Sequence, residues 1–432
     1  MVYPLLLDQL GRVRRGLGDL PGTLQTFETL AVWAHDHGEI GWQSRAVLHR
    51  ATVVGWIDSE GSRVASIEGI TLSQRVDDPL LRANAQGHAA YWQLYLHGCR
   101  AADVRIAEEA IAVARTAGDR ELLAQSAMVL ALLQLARSDL RAAAHTAAEG
   151  IEIARDAGNA YMCLWSYILR VGALVRLGEW GVALAAIDEG LRLGAQIGHL
   201  HFSSLLRSEA AALHTEAFDF AGAAAIARDE LLQEGLSDGA RRSAQFQLAF
   251  ALLGLGKLDE ASTTFTAPQL ATAAEGPAMP WSGQLRLRQG LARVWLARGD
   301  LDRARGEAEA LQALAATADE PRPRAEAARL LAEIALQSGH LSDAEAHLRA
   351  ARAAIQACEL PLVEWRIAAT AAHVYDRQRR RADAQAARQQ SAAVVNQLAD
   401  SLPPGHKLRP SFLEHASLRK GTKRPRVQDR QG

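Results

Sequence analysis

The chain has 432 residues, a net charge of −1, 49% hydrophobic and 22% charged residues. This balance excludes a disordered or collagen-like polymer and a chain committed as a whole to nucleic acid. Cys99, Cys163 and Cys358 are the only cysteines and lie far apart, which excludes a disulfide scaffold and a CxxC zinc site.

A short turn signature recurs along the chain. It starts at Gly18-Asp-Leu, has a weak copy at Asp58, and continues at Gly98, Ser138-Asp-Leu, Gly178-Glu-Trp and Phe218-Asp-Phe, each 40 residues after the last. It then arrives two residues early at Gly256 and goes on through Gly299-Asp-Leu, Gly339-His-Leu and a weak copy at Arg379. A fixed period of this size marks a repeat array. The segments before the anchors read as helices near 4–16, 40–56, 80–96, 120–136, 160–177, 200–217, 239–255, 282–298, 322–338 and 362–378. Their apolar residues recur at helical spacing among strong helix formers. A second helix of about 15 residues follows each anchor. Pro21, Pro79, Pro321 and Pro361 stand at or near helix starts, where the missing N–H costs nothing. No stretch alternates with period two, so no sheet is expected. The loop 267–280, with Gly276, Pro277 and Pro280, interrupts the array and should cut short the second helix after Gly256.

Other positions keep phase with the anchor. Five residues after it stand Ala143, Ala183, Ala223, Ala261, Ala304, Ala344 and Ala384; seven before it stand Ala131, Ala211, Ala249, Ala292, Ala332 and Ala372. Two after it come the bulky Leu20, Leu140, Trp180, Phe220, Leu258, Leu301 and Leu341. Small residues let paired helices approach closely and the bulky one plugs the corner, which is the logic of an αα-hairpin. The expectation is an all-α, right-handed α-solenoid of about ten hairpins over residues 1–400, then a basic, disordered tail over 401–432.

The residues Leu291-Ala292, Gly299-Asp300-Leu301 and Ala304 resemble the tetratricopeptide repeat (TPR) pattern, as do Leu331-Ala332, Gly339, Leu341, Ala344, Leu348 and Ala351, and Leu248-Ala249, Gly256, Leu258, Ala261 and Phe265. The period is longer than the TPR norm of about 34 and is similar to the MalT-like TPR region, the sensor arm of signal-transduction ATPases and LuxR-type regulators. Leu402-Pro-Pro404 and Arg409-Pro-Ser-Phe-Leu413 resemble the end segment of such arms. The resemblance implies a regulatory interaction module that binds in its concave groove. The ATPase phosphate loop is missing: Gly254-Leu-Gly-Lys257 lacks its spacing and its hydroxyl. No helix-turn-helix DNA reader follows the repeats, so the chain reads as a sensor arm detached from its motor.

No catalytic or metal set emerges. His35-Asp36-His37 and His199 with His201 lack the i, i+4 spacing that a helical metal pair needs. Cys163 reads as a packed thiol without a base, Glu108-Glu109 as a solvated face, and no G-x-S-x-G occurs. No cofactor, metal or enzymatic activity is expected. The resemblance places the groove at 13, 10, 6 and 3 residues before each anchor. There the sequence offers His88, Trp92 and Tyr95, then Met128, Trp165, Phe246 and Phe250, and further on Arg286, Gln289, Arg293, Arg329, Glu333, Arg366, His373, Asp376 and Arg377. An aromatic stretch thus grades into an Arg-rich one. That suits a protein or peptide segment with an acidic end, or a small amphipathic effector. Against it stands the reading of the aromatics as inter-repeat core. The Asn and Lys clamp of chaperone-binding TPRs is not reproduced. The tail run Arg419–Arg426 is a solubilising end that contacts nucleic acid weakly at most. No apolar run approaches the ~20 residues of a membrane span, and no positive n-region precedes Leu5–Leu7, so the cytoplasm is the expected location. The alternatives are an assembly scaffold without a small-molecule ligand, and an enzyme with an unrecognised site.

Overall fold

The computed structural model describes residues 2–54, 59–268, 270 and 280–418. Among them every regular element is a helix and there is no strand. The helices pair in chain order: α1 (Val2–Gly16) with α2 (Leu20–Asp36), α3 (Ile40–Val54) with α4 (Ser59–Ser73), α5 (Pro79–His97) with α6 (Ala101–Ala117), α7 (Arg120–Ala136) with α8 (Leu140–Asp156), and α9 (Ala160–Leu177) with α10 (Trp180–Ile197). Then come α11 (Leu200–Glu216) with α12 (Phe220–Leu231), α13 (Asp238–Gly254) with α14 (Leu258–Phe265), α15 (Pro280–Arg298) with α16 (Leu301–Ala316), α17 (Pro321–Gln337) with α18 (Leu341–Ile355), and α19 (Pro361–Arg377) with α20 (Arg381–Asp400). A last helix, α21 (Leu408–Leu418), ends the described array. The α14 helix has only eight residues, the shortening that the following loop implied. Asp58, most of the 267–280 loop and the run Arg419–Arg426 lie outside the described residues.

The hairpin is built by backbone conformation at the anchor. All the anchors among the described residues have positive φ, from 62° at Phe218 to 82° at Gly339. This left-handed step ends the first helix and reverses the chain. The residue after it then caps the second helix: Asp19, Asp219 and Asp300 accept the N–H of Gly22, Gly222 and Arg303 at 2.9, 3.0 and 3.2 Å. The phased alanines at five after and seven before the anchor are all buried to within 2%, so the two helices meet backbone to backbone. The bulky residue two after the anchor behaves less uniformly. Leu140 and Trp180 are buried, whereas Leu20, Phe220, Leu258, Leu301 and Leu341 are half-buried.

That difference follows from how the solenoid coils. The array closes on itself after about five and a half hairpins, and residues 218 to 221 apart meet along a seam. Cys99 donates its backbone N–H to Glu320 Oε1 at 2.9 Å, and Asp319 returns its N–H to the Cys99 carbonyl at 2.8 Å. Arg141 forks onto Glu359 with two bonds of 2.5 Å. Trp180 and Gly181 donate their N–H groups to Ser401 Oγ and O at 3.2 and 3.1 Å. Leu140 packs with Leu360 and Val363 in the same apolar cluster, and Trp180 lies edge-on to Phe412 at 4.8 Å. The corner residue is therefore fully covered where the next superhelical turn lies over it.

The expected boundary at residue 400 requires correction. Leu402, Leu408, Phe412 and Ala416 are buried, because Phe412 stacks on Phe218 at 5.7 Å besides meeting Trp180. The folded part runs at least to residue 418, and 419–432 lie outside the described residues. Among the described residues one helix, Ala160–Leu177, is long and apolar enough to cross a membrane. Its apolar window is 83% buried inside the array, so packing accounts for its composition.

Candidate functional site

Closure narrows the concave groove into a half-open chamber of about 490 Å³. Its wall comes chiefly from the first helices α5, α7, α9, α11, α13, α15 and α17. The helix α5 packs directly against α15 across one superhelical turn, and α9 approaches α19. The N-terminal helix meets α9 outside the chamber: the Arg15 guanidinium lies over the Tyr161 ring, 4.9 Å from its centroid.

The chamber has two chemically different walls. Tyr91, Leu94, Tyr95, Leu132, Leu135, Trp165 and Ile168, from α5, α7 and α9, make an apolar and aromatic face. Arg286, Gln289 and Arg293 from α15, with Arg322 and Glu326 from α17, make a charged face. The sequence presented these as successive stretches along a gradient. The coil brings them around one chamber, in place of a groove graded along its length.

Most charges at the chamber are already engaged. Arg176 pairs with Glu209 at 3.5 Å and Arg366 with Glu216 at 2.5 Å. Arg329, which is buried, forks between Glu326 at 2.9 Å and Glu333 at 2.5 Å. Burial works to raise the Glu326 carboxyl, yet Arg329, Arg366 and Arg322 hold it down at about 2. Burial likewise opposes ionisation of Glu216, and Arg366 and Arg322 outweigh it, leaving its pKa below the usual range. At the seam, burial pushes Glu320 up, partly offset by the N–H groups of Cys99 and Trp281, the latter at 2.9 Å. Arg286, Arg293 and Arg322 differ from the rest. They are half-buried, and no ion-pair or hydrogen-bond partner holds them among the described residues. Burial lowers all three, Arg286 to about 10. Aromatic faces hold two of them: Arg286 lies 4.7 Å from the Phe246 centroid and 5.9 Å from that of Phe250, and Arg293 lies 5.8 Å from the latter.

The structure thus brings Tyr95, Trp165, Phe250, Arg286 and Arg293 together on the chamber wall. It places the other candidates elsewhere. Trp92 and His88 are 4% and 5% exposed and line, with Met128, a small pocket beside the chamber. Phe246 is buried beneath Arg286. Arg329 and Arg366 stand behind the wall in their ion pairs, and Arg377 is exposed outside it. The candidates at the groove positions left out the aliphatic lining and the carboxylates Glu209, Glu216 and Glu326. Applied evenly, the same offsets before the anchor yield Leu132, Leu135, Ile168, Leu205, Thr215 and Glu326, all on the wall. Arg322 and Trp281 begin their helices and lie outside those offsets.

The thiols are inert by environment: burial pushes Cys99 up to about 12 and Cys163 to about 11. Among the described residues no group of three or more His, Cys, Asp or Glu side chains is placed to hold a metal ion.

No family model matches the chain, and no curated protein does. Solved structures match in fold. A Rap protein complexed with competence and sporulation factor is 12% identical, with a TM-score of 0.58, over 93% of this chain and 100% of that one. Yeast Tom70 is 12% identical with a TM-score of 0.42, over 97% of this chain and 96% of that one. A chain of the APC/C hetero-tetramer Cut9-Hcn1 is 13% identical with a TM-score of 0.42, over 96% and 87%. The repeat residues, the left-handed anchors and the likeness to the Rap structure agree: the chain is an α-solenoid of the tetratricopeptide-repeat type.

Proposed function

We propose that this chain is a non-catalytic interaction module that takes a segment of a protein or peptide, or a compact effector, into its central chamber. The observation that carries the reading is the chamber itself: a half-open space of ligand size lined by both apolar and charged side chains. The Rap structure similar in fold was solved as a complex with competence and sporulation factor, which supports a binding role for this architecture. In the finer form of the reading, the chain acts in the cytoplasm as the regulatory arm of a signalling or transcriptional system, as its resemblance to MalT-like repeats implies.

The test is selection from a displayed library of random short peptides on the full chain, followed by binding measurements on Trp165→Ala and Phe250→Ala. Peptides that bind the parent protein and lose at least tenfold in both variants support the chamber. Peptides that bind all three proteins alike overturn it. A second reading, an assembly scaffold working through its outer surface, is favoured by one observation. The helix α1 leaves Val2, Leu6, Leu10 and Val13 exposed on one face, and solenoid ends ordinarily carry a polar outer face. In that case Leu6→Asp with Leu10→Asp abolishes assembly while Trp165→Ala leaves it intact.

A further inference from the structure

Buried charges in proteins are normally paired, because an isolated ion loses its hydration without recovering it. The chamber follows this rule for Arg176, Arg329 and Arg366 and departs from it at Arg286, Arg293 and Arg322. The departure is concentrated. Arg286 and Arg293 lie seven residues apart on α15, hence on one face of that helix, and both flank the Phe250 ring. Arg322 sits in the first turn of α17 on the same chamber wall. The carboxylates nearest to them in their electrostatic surroundings, Glu209, Glu216 and Glu326, already serve Arg176, Arg366 and Arg329. The same chamber is lined by Tyr91, Tyr95, Leu132 and Trp165. A guanidinium fork matches a planar oxyanion by two parallel N–H bonds, and these neighbours offer mainly apolar and aromatic area.

We propose that the chamber selects a compact ligand with an apolar or aromatic body and one terminal carboxylate, which seats among Arg286, Arg293 and Arg322. The inference rests on the chamber being a binding site and adds the charge and polarity of what fills it. A short peptide with a free C-terminus and an apolar carboxylic acid share this chemistry.

Two fluorescent probes separate the two claims: 8-anilinonaphthalene-1-sulfonate, an aromatic anion, and Nile red, a neutral dye of similar apolar character. Both are titrated into the full chain and into Arg293→Gln and Arg322→Gln. The expected result is a single anilinonaphthalene site weakened at least tenfold by either substitution, with Nile red changed less than twofold. Each variant should also melt at a higher temperature than the parent when unliganded, since a half-buried cation without a carboxylate partner is gone; a merely structural arginine would give a lower one. Displacement then identifies the source. N-acetyl-Leu-Phe-Leu with a free carboxylate, or decanoate, should displace the anionic probe at least tenfold better than the C-terminal amide of the same peptide or decanol. If both dyes bind and neither substitution discriminates them, or the amide competes as well as the acid, the carboxylate claim is overturned while the chamber stands. If neither dye binds the parent protein, the chamber reading falls with it.

Discussion

The closure of the solenoid makes a sharp prediction at two anchor glycines of almost identical φ. Gly98 has φ +81° and Gly299 has φ +80°. Alanine at either position takes up a positive φ that costs about 1–2 kcal/mol, and Gly98, with ψ 169°, lies in a region that is essentially glycine's alone, where the cost rises to about 1–3 kcal/mol; either gains the same small amount from a stiffer unfolded chain. The surroundings differ. A Cβ at Gly299 meets nothing within 4 Å. A Cβ at Gly98 comes within 2.5 Å of both Ala318 Cβ and Trp281 Cε2, across the seam. Two responses are open to the Gly98→Ala protein. It can repack Trp281, at the roughly 1–3 kcal/mol typical of overpacking. Otherwise it can part the seam there and lose the bonds of Cys99 with Glu320 and Asp319, together about 2–4 kcal/mol. The cheaper response sets the seam loss, so Gly98→Ala should fall below Gly299→Ala by at least about 1–3 kcal/mol, with its harsher backbone cost adding to the difference. Urea unfolding of both variants and the parent measures this difference from the transition midpoints at constant slope. Equal losses in the two variants would refute the argument, because residues 98 and 281 would then not be packed together in solution.

Two further outcomes follow from single residues. Arg379 holds φ +63° without being glycine and its side chain is exposed, so Arg379→Gly should stabilise the fold by up to about 1 kcal/mol once the added chain entropy is deducted; a loss of midpoint in urea would contradict it. His88 is buried, and burial first and Arg15 second lower its pKa from 6.5 to about 4. The folded form stays neutral while the unfolded chain takes a proton, so the effect is nil well above pH 6.5, grows as pH falls from there to about 4, and is constant below. At full extent it costs on the order of 3 kcal/mol. His88→Gln should therefore flatten the stability profile between pH 6.5 and 4 by about that amount, leaving the contributions of His49 and His201, whose pKa values burial also lowers; an unchanged profile counts against a neutral buried His88.

The hairpins were legible because the constraints that form them are local and repeat every 40 residues. A left-handed anchor, a capping Asp one residue later and an alanine four further on each act within one turn of helix or one neighbouring helix, so the ten first helices lie within two residues of where periodicity places them. The exceptions are instructive. Phe218 occupies an anchor where glycine is easier because its ring is needed against Phe412, almost two hundred residues on, and nothing near Phe218 in sequence says so. The coil of the array belongs to the same class of information. Small helix-to-helix angles add up over five and a half hairpins before Cys99 reaches Glu320, and no single turn specifies the sum. The candidate site inherits this division. Groove positions were fixed by phase, so Tyr95, Trp165, Phe250, Arg286 and Arg293 fell on the wall. Which of them the neighbouring helices cover depends on how the hairpins stack, and that is why Trp92 and Phe246 became core, whereas Arg329 is closed off by Glu326 and Glu333 three and four residues away on its own helix. The same logic explains why unpaired arginines are informative here. An arginine pointing into an open groove is ordinary, since water solvates it at little cost. Once the array closes, each guanidinium left without a carboxylate lowers the stability of the closed form, and the array retains three of them at Arg286, Arg293 and Arg322 beside an apolar wall. Closure thus turns a pattern that was neutral in the sequence into a cost, and an anion entering the chamber removes it.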